Sequence, residues 1–66
     1  MIAFEVNDMS CVHCVKVITE AVKAADSRAD VRIDLARHCV EIEPGAADAV
    51  ALAGVIREAG YTPVQV

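Results

Sequence analysis

Residues 2–25 read IAFEVNDMSCVHCVKVITEAVKAA, and this stretch decides the fold. Its first five residues place large apolar side chains at every second position, which is typical of a half-buried β-strand. From about Val12 to Ala25 the apolar side chains instead recur at helical spacing. The expected stripe comprises Val15, Ile18, Val22 and Ala25. The stretch therefore predicts a strand, a polar loop and an amphipathic helix, with two cysteines where the loop meets the helix.

The rest of the chain continues with alternating strand and helix patterns. Residues 31–35 and 39–43 alternate in the manner of strands, and the short connection between them predicts a hairpin. Residues 47–59 are rich in alanine and carry an apolar stripe, so they predict a second helix that Gly60 ends. A last short strand over 62–66 contains a proline, which places it at a sheet edge.

The predicted element order is β-α-β-β-α-β. An α+β sandwich with both helices on one face of a four-stranded antiparallel sheet buries these apolar faces economically. Right-handed crossovers then predict the strand order 4-1-3-2. Residues 8–13, 36–38 and 60–61 should meet at one end of this sheet. We therefore predict a ferredoxin-like fold, with a single domain spanning residues 1–66.

Composition excludes several classes of function. The 66 residues carry a net charge of −4 and only 3% aromatic side chains, so a phosphate-rich or base-stacking nucleic-acid partner is disfavoured. No segment approaches the roughly 18 continuous apolar residues of a membrane span, and the first residues do not resemble a signal peptide. Three cysteines, an odd number, favour free thiols in a reducing compartment, so we expect a cytoplasmic protein.

Cys11 and Cys14 are spaced to converge on one ion at the start of the first helix, which Ser10 is expected to cap. The positive helix end favours thiolate over thiol. Two thiolates suit a soft ion such as Cu(I) or Hg(II), whereas zinc prefers four ligands. An exposed two-coordinate ion can accept an incoming thiolate before an old one leaves. We therefore expect Cu(I) as the bound ion, and transfer in preference to storage.

Several motifs extend this pattern along the chain. Met9-Ser10-Cys11-Val12-His13-Cys14 precedes the first helix, and Ala59-Gly60-Tyr61 follows the second. On these residues the chain resembles the heavy-metal-associated domain family from Val6 to Tyr61, and its length resembles that of bacterial cytosolic copper chaperones.

The resemblance implies roles for individual residues. Cys11 and Cys14 would be the metal ligands, with Met9 as a core anchor beneath the loop and Tyr61 covering the site. Ser10 and His13 are candidate neighbours of the ligands, with His13 expected to face solvent, and Met9 stays open as a sulfur ligand. The expected partner is the metal-binding domain of a copper-transporting P-type ATPase, and the protein would be a carrier and not an enzyme.

One residue departs from the family pattern, because Asp8 stands where the family has glycine. Asp tolerates a positive φ less well than glycine does, so a stiffer and more negative loop is expected. Zinc-exporting relatives place Asp directly before the first cysteine. Ser10 occupies that position here, which favours copper over zinc.

Other interpretations remain open at this stage. His38 and Cys39 lie at the hairpin end near the metal loop, and either is a candidate extra ligand, also across a metal-bridged dimer. The chain is otherwise expected to be monomeric without metal. A thiol–disulfide oxidoreductase would also use two cysteines at a helix start. A structural zinc site and a mercury-handling role are the remaining alternatives.

Overall fold

The computed structural model describes all residues from 1 to 66. Its elements are β1 (Ile2–Val6), α1 (Val12–Ala25), β2 (Asp30–Asp34), β3 (Cys39–Glu43), α2 (Ala49–Glu58) and β4 (Pro63–Gln65). The four strands form one antiparallel sheet in the order β2-β3-β1-β4. The predicted fold class and strand order are therefore confirmed. The proline-containing β4 lies at an edge, as expected.

The core lies between one face of the sheet and the two helices. Alternate residues of β1 and β3 are fully buried, and they face one buried stripe on each helix. The main contributors are Phe4, Val6, Val40, Ile42, Ile18, Val22, Leu52 and Ile56. The stripe on α1 differs at its ends from the prediction, because Cys14 is buried whereas Ala25 is exposed. The buried stripe therefore begins at Cys14, one of the two cysteines at the start of the helix.

The second helix begins at Ala49, two residues later than predicted. The N–H groups of Ala46 and Ala47, which precede the helix, donate to a carboxylate oxygen of Asp26 at 2.9 and 3.0 Å. Asp48 then caps the helix, its side chain accepting the Ala51 N–H at 2.9 Å. The two carboxylates therefore accept backbone N–H groups that have no acceptor within the helix.

Asp26, the residue that follows α1, is buried although its side chain is charged. The N–H groups of Ala47, Ala46, Gly45 and Arg28 all donate to its carboxylate, and they lower its pKa from 3.8 to about 2. Gly45 is required there, since a Cβ would contact the Arg28 side chain and come within 2.7 Å of the carboxylate. Asp26 thereby ties the end of α1 to the segment before α2.

The hairpin between β2 and β3 lies beside the loop that joins β1 to α1. β2 runs from Asp30 to Asp34, one residue earlier than predicted, because Leu35 belongs to the turn and its carbonyl accepts the His38 N–H at 3.3 Å. His38 has φ of 54°, in the left-handed region. At this residue the chain turns into β3, and both the carbonyl and the ring of His38 face the end of β1 and the loop that follows it. No helix of the chain has the length and apolar character needed to cross a membrane.

Candidate metal centre

Three connections meet at one end of the sheet, as predicted. The His38 carbonyl accepts the Val6 N–H at 2.7 Å, and the His38 ring nitrogen Nδ1 lies 2.9 Å from the Met9 carbonyl oxygen. On the other side, the Thr62 N–H donates to the Asp8 carboxylate at 3.1 Å. The loop between β1 and α1 is therefore hydrogen-bonded to both neighbouring connections.

Cys11 and Cys14 face each other across the first turn of α1. Their sulfur atoms lie 3.1 Å apart. Cys11 is the residue that caps the helix, with no side-chain hydrogen bond to the helix N–H groups. The prediction that Ser10 caps the helix is therefore wrong, because the residue directly before Val12 is Cys11, and the Cys11 sulfur is directed at Cys14 instead.

The two cysteines differ in exposure. Cys11 is exposed, whereas Cys14 is buried with 9% of its surface accessible. The expectation of an exposed two-sulfur site does not distinguish the two cysteines. The difference arises because Cys14 begins the buried stripe of α1, while Cys11 lies in the loop. An incoming ligand therefore reaches the pair from the Cys11 side.

The surroundings of Cys14 favour the thiolate. Hydrogen bonding from the Tyr61 hydroxyl, from Cys11 and from the Ser10 N–H lowers the pKa of Cys14 from 9.0 to about 6, against the opposing effect of burial. The lowered pKa therefore favours the thiolate form of Cys14 at neutral pH. The same contact raises the pKa of Tyr61 to about 12, because ionising the hydroxyl would remove the donor and add a second negative charge.

The sulfur separation has a consequence for metal binding. With metal–sulfur bonds of about 2.3 Å, a near-linear S–metal–S arrangement spans roughly 4.5 Å between the sulfurs. The observed 3.1 Å is shorter, so the pair would have to open to hold an ion in that arrangement. The movement would fall to the exposed Cys11, since Cys14 is packed in the core cluster.

The other predicted site residues lie around this pair. Met9 is fully buried beneath the loop, and Tyr61 is half-buried beside Cys14. Ser10 and His13 are exposed. Asp8 does not adopt a positive φ, so its replacement of glycine causes no backbone strain. Its carboxylate instead bonds the connection that carries Tyr61.

His38 and Cys39 do not join the cysteine pair within one chain. Cys39 lies on the open face of the sheet, where Arg32 and Arg37 line a surface cavity of about 130 Å³ with it. The His38 ring contacts the Met9 carbonyl. Nowhere does the chain gather three or more His, Cys, Asp or Glu side chains that could surround a metal ion.

Two of these contacts were not anticipated from sequence. Asp8 was considered only for its backbone and charge, and His38 only as a ligand. The available signal for Asp8 was general, since Asp side chains in loops commonly accept backbone N–H groups. No local signal identifies the N–H of Thr62 as the donor, because the two residues are 54 positions apart.

Comparison with known proteins agrees with this geometry. The family model described as the heavy-metal-associated domain matches residues 3–62. Among curated proteins, the comparison finds no match to this chain.

Solved structures resemble this fold over nearly its whole length. A gold binding protein is 27% identical, with 100% of both chains covered and a TM-score of 0.94. The copper chaperone Atx1 from Synechocystis, in a trimeric form, is 31% identical over 97% of this chain and 100% of its own, with a TM-score of 0.92. A protein from Agrobacterium tumefaciens is 40% identical over 94% of this chain and 95% of its own, with a TM-score of 0.81.

Proposed function

This chain belongs to the heavy-metal-associated domain family, and from that membership we propose that it binds Cu(I) through Cys11 and Cys14 and passes the ion to a partner protein. The observation that carries the proposal is the facing pair of sulfurs, 3.1 Å apart, at the start of α1. One sulfur is exposed and the other belongs to a residue whose pKa is about 6.

The ligand set favours Cu(I) over zinc. Cu(I) is stable with two soft sulfur ligands, whereas zinc in structural sites has four ligands. The chain offers no third or fourth ligand beside the pair. A zinc ion would therefore need ligands from water or another molecule, while Cu(I) would need none. Hg(II) shares the preference for two sulfurs, and the copper assignment over mercury rests on the likeness to a copper chaperone.

The unequal exposure of the two cysteines gives the proposed order of ligand exchange during transfer. A partner thiolate would approach from the Cys11 side and add to the ion as a third ligand. Cys11 would then leave, since it lies in the loop. A second partner thiolate would add before Cys14 leaves last. Each step exchanges one metal–sulfur bond for another with no change in the oxidation state of copper. The ion is never free during this sequence.

The proposed partner is the metal-binding domain of a copper-transporting P-type ATPase, and the two are proposed to meet in the cytoplasm. The exposed residues that surround Cys11 would form the docking surface, and Val12 is 76% exposed there. The chain is proposed to be monomeric without metal. A second copy, docking as the partner would, could also supply the third thiolate and give a metal-bridged dimer.

Single cysteine variants test the site. Cys11→Ser and Cys14→Ser should each abolish tight Cu(I) binding in a competition titration against a Cu(I)-specific chromophore. Cys39→Ser is the matched control, because it removes a thiol from the open face of the sheet, and it should bind as the wild type does. Full binding by Cys14→Ser would contradict the assignment. Parallel titrations with Zn(II) and Hg(II) establish which ion binds most tightly.

The second candidate is a thiol–disulfide oxidoreductase, which the low pKa of Cys14 and the short sulfur separation also favour. Reduction of insulin by the protein in the presence of a chemical reductant would support this function. The Cu(I) carrier predicts no acceleration over the reductant alone.

A further inference from the structure

His38 occupies a backbone conformation that its side chain does not favour. Its φ of 54° lies in the left-handed region, where Gly is free of strain and Asn is the best tolerated of the other residues. The residue is half-buried, and its carbonyl accepts the Val6 N–H at 2.7 Å. A turn alone would be served better by Gly or Asn. The ring is also in contact with the loop between β1 and α1, which points to a role beyond the turn.

The ring makes one defined contact, between Nδ1 and the Met9 carbonyl oxygen at 2.9 Å. A carbonyl oxygen can only accept a hydrogen bond, so Nδ1 must carry the proton. Both the neutral ring with its proton on Nδ1 and the protonated ring satisfy this requirement. The contact therefore does not depend on the charge of the ring.

The Met9 carbonyl belongs to the same peptide unit as the Ser10 N–H. Because a peptide is planar and trans, holding the carbonyl on one side fixes the N–H on the opposite side. Ser10 directly precedes Cys11, the exposed member of the cysteine pair. A single peptide unit therefore connects the His38 ring to the residue before Cys11.

We propose that His38 is a positioning residue for metal exchange, which orients the Met9–Ser10 peptide that leads into Cys11. The proposal rests on the proposed function, and it explains how one half of the site stays fixed while the other half moves. Cys14 and the Met9–Ser10 peptide form the fixed half. Cys11, which follows that peptide and is exposed, opens to admit the ion.

A ligand role for His38 does not fit these contacts. The ring lies against Met9, and no group of three metal-binding side chains includes it. Its action on the ion is therefore indirect, through a peptide unit. Removing the ring should weaken binding without changing which atoms bind.

Two variants separate the ring from the backbone conformation. His38→Asn keeps a side-chain N–H at the same distance along the side chain, and His38→Gly removes the donor while accepting the positive φ without strain. Outer contacts of metal ligands typically contribute about 10- to 100-fold in affinity. We expect His38→Gly to bind Cu(I) about 10-fold more weakly in competition titration, and His38→Asn to bind within about 3-fold of the wild type.

A measurement without metal distinguishes this proposal from the proposed function. The ¹⁵N order parameter of the Ser10 amide in the metal-free protein should be about 0.85 in the wild type and in His38→Asn. It should fall towards about 0.6 in His38→Gly. An unchanged Ser10 order parameter in His38→Gly would overturn the positioning role, whatever the wild type binds. An equal loss of Cu(I) affinity in His38→Gly and His38→Asn, with the Ser10 amide still ordered, would also overturn the positioning role.

Discussion

Replacement of Tyr61 by Phe removes one hydroxyl and keeps the ring beside Cys14. That hydroxyl is the largest of the contributions that lower the pKa of Cys14 from 9.0 to about 6. Cys11 and the Ser10 N–H remain in the variant, so only part of the shift should be lost. We expect the pKa of Cys14 to rise by about one unit, because hydrogen bonding to the charged form is what favours it.

The rise has a measurable consequence at neutral pH. A pKa of about 6 leaves about 90% of Cys14 as thiolate at pH 7, and a pKa of about 7 leaves about 50%. Loss of a donor that stabilises the thiolate raises the pKa, so Cys14 takes up its proton at a higher pH in the variant than in the wild type. Cu(I) binding at pH 6 should then weaken more in the variant than binding at pH 9, where the thiolate dominates in both proteins.

The assay is a pH titration of the Cys14 ¹³Cβ chemical shift, which reports this thiol separately from Cys11 and Cys39. The reciprocal variant is Cys14→Ala, in which the Tyr61 pKa should fall from about 12, because contact with Cys14 is the largest cause of its elevation. The absorbance change on tyrosine ionisation measures this directly, as Tyr61 is the only tyrosine. If Cys14 titrates at the same pH in Tyr61→Phe as in the wild type, the hydroxyl does not stabilise the thiolate and the reasoning fails.

Three further predictions concern residues around the site. Asp26→Asn should unfold at a lower urea concentration than the wild type at pH 5, and this loss of stability should shrink as the pH falls towards 2. The reason is that the lowered pKa of Asp26 contributes stability above about pH 4, which is lost as the carboxylate protonates. An equal loss of stability at both pH values would contradict this account. Met9→Ala should cost about 2–5 kcal/mol in the free energy of unfolding, whereas Met9→Leu should cost less than about 1.5 kcal/mol and keep Cu(I) binding if Met9 is a core anchor. Loss of Cu(I) binding in a folded Met9→Leu would instead identify the thioether as a ligand. Asp8→Gly, which restores the family residue, should raise the amide hydrogen-exchange rate of Thr62 by losing the 3.1 Å contact, and unchanged exchange would show that the carboxylate is not the acceptor in solution.

The fold was predictable because its information is local. Alternation in residues 2–6 and 39–43 identifies the strands, and helical spacing from Val12 identifies the first helix. The rule on right-handed crossovers then leaves one strand order. The start of the second helix was predicted wrongly, and the N–H groups that precede it bind Asp26, about 20 residues earlier. No pattern within the helix could reveal that acceptor.

The candidate site was predictable to a similar extent. Spacing and position at a helix start identify Cys11 and Cys14 as a pair. Their unequal exposure depends on which face of α1 the core covers. The buried stripe predicted from the sequence included Val15 but not Cys14. The contacts of Asp8 and His38 depend on which connections meet at the end of the sheet. Their partners are backbone groups, which carry no signature in the sequence.

X-ray absorption at the copper edge tests the central claim most directly. The protein would be loaded with one equivalent of Cu(I) in a buffer that contains no added thiol or imidazole. The account predicts two sulfur neighbours per copper in the wild type and an identical spectrum for Cys39→Ser. A nitrogen neighbour, or a spectrum from Cys11→Ser that still shows two sulfurs, would contradict it.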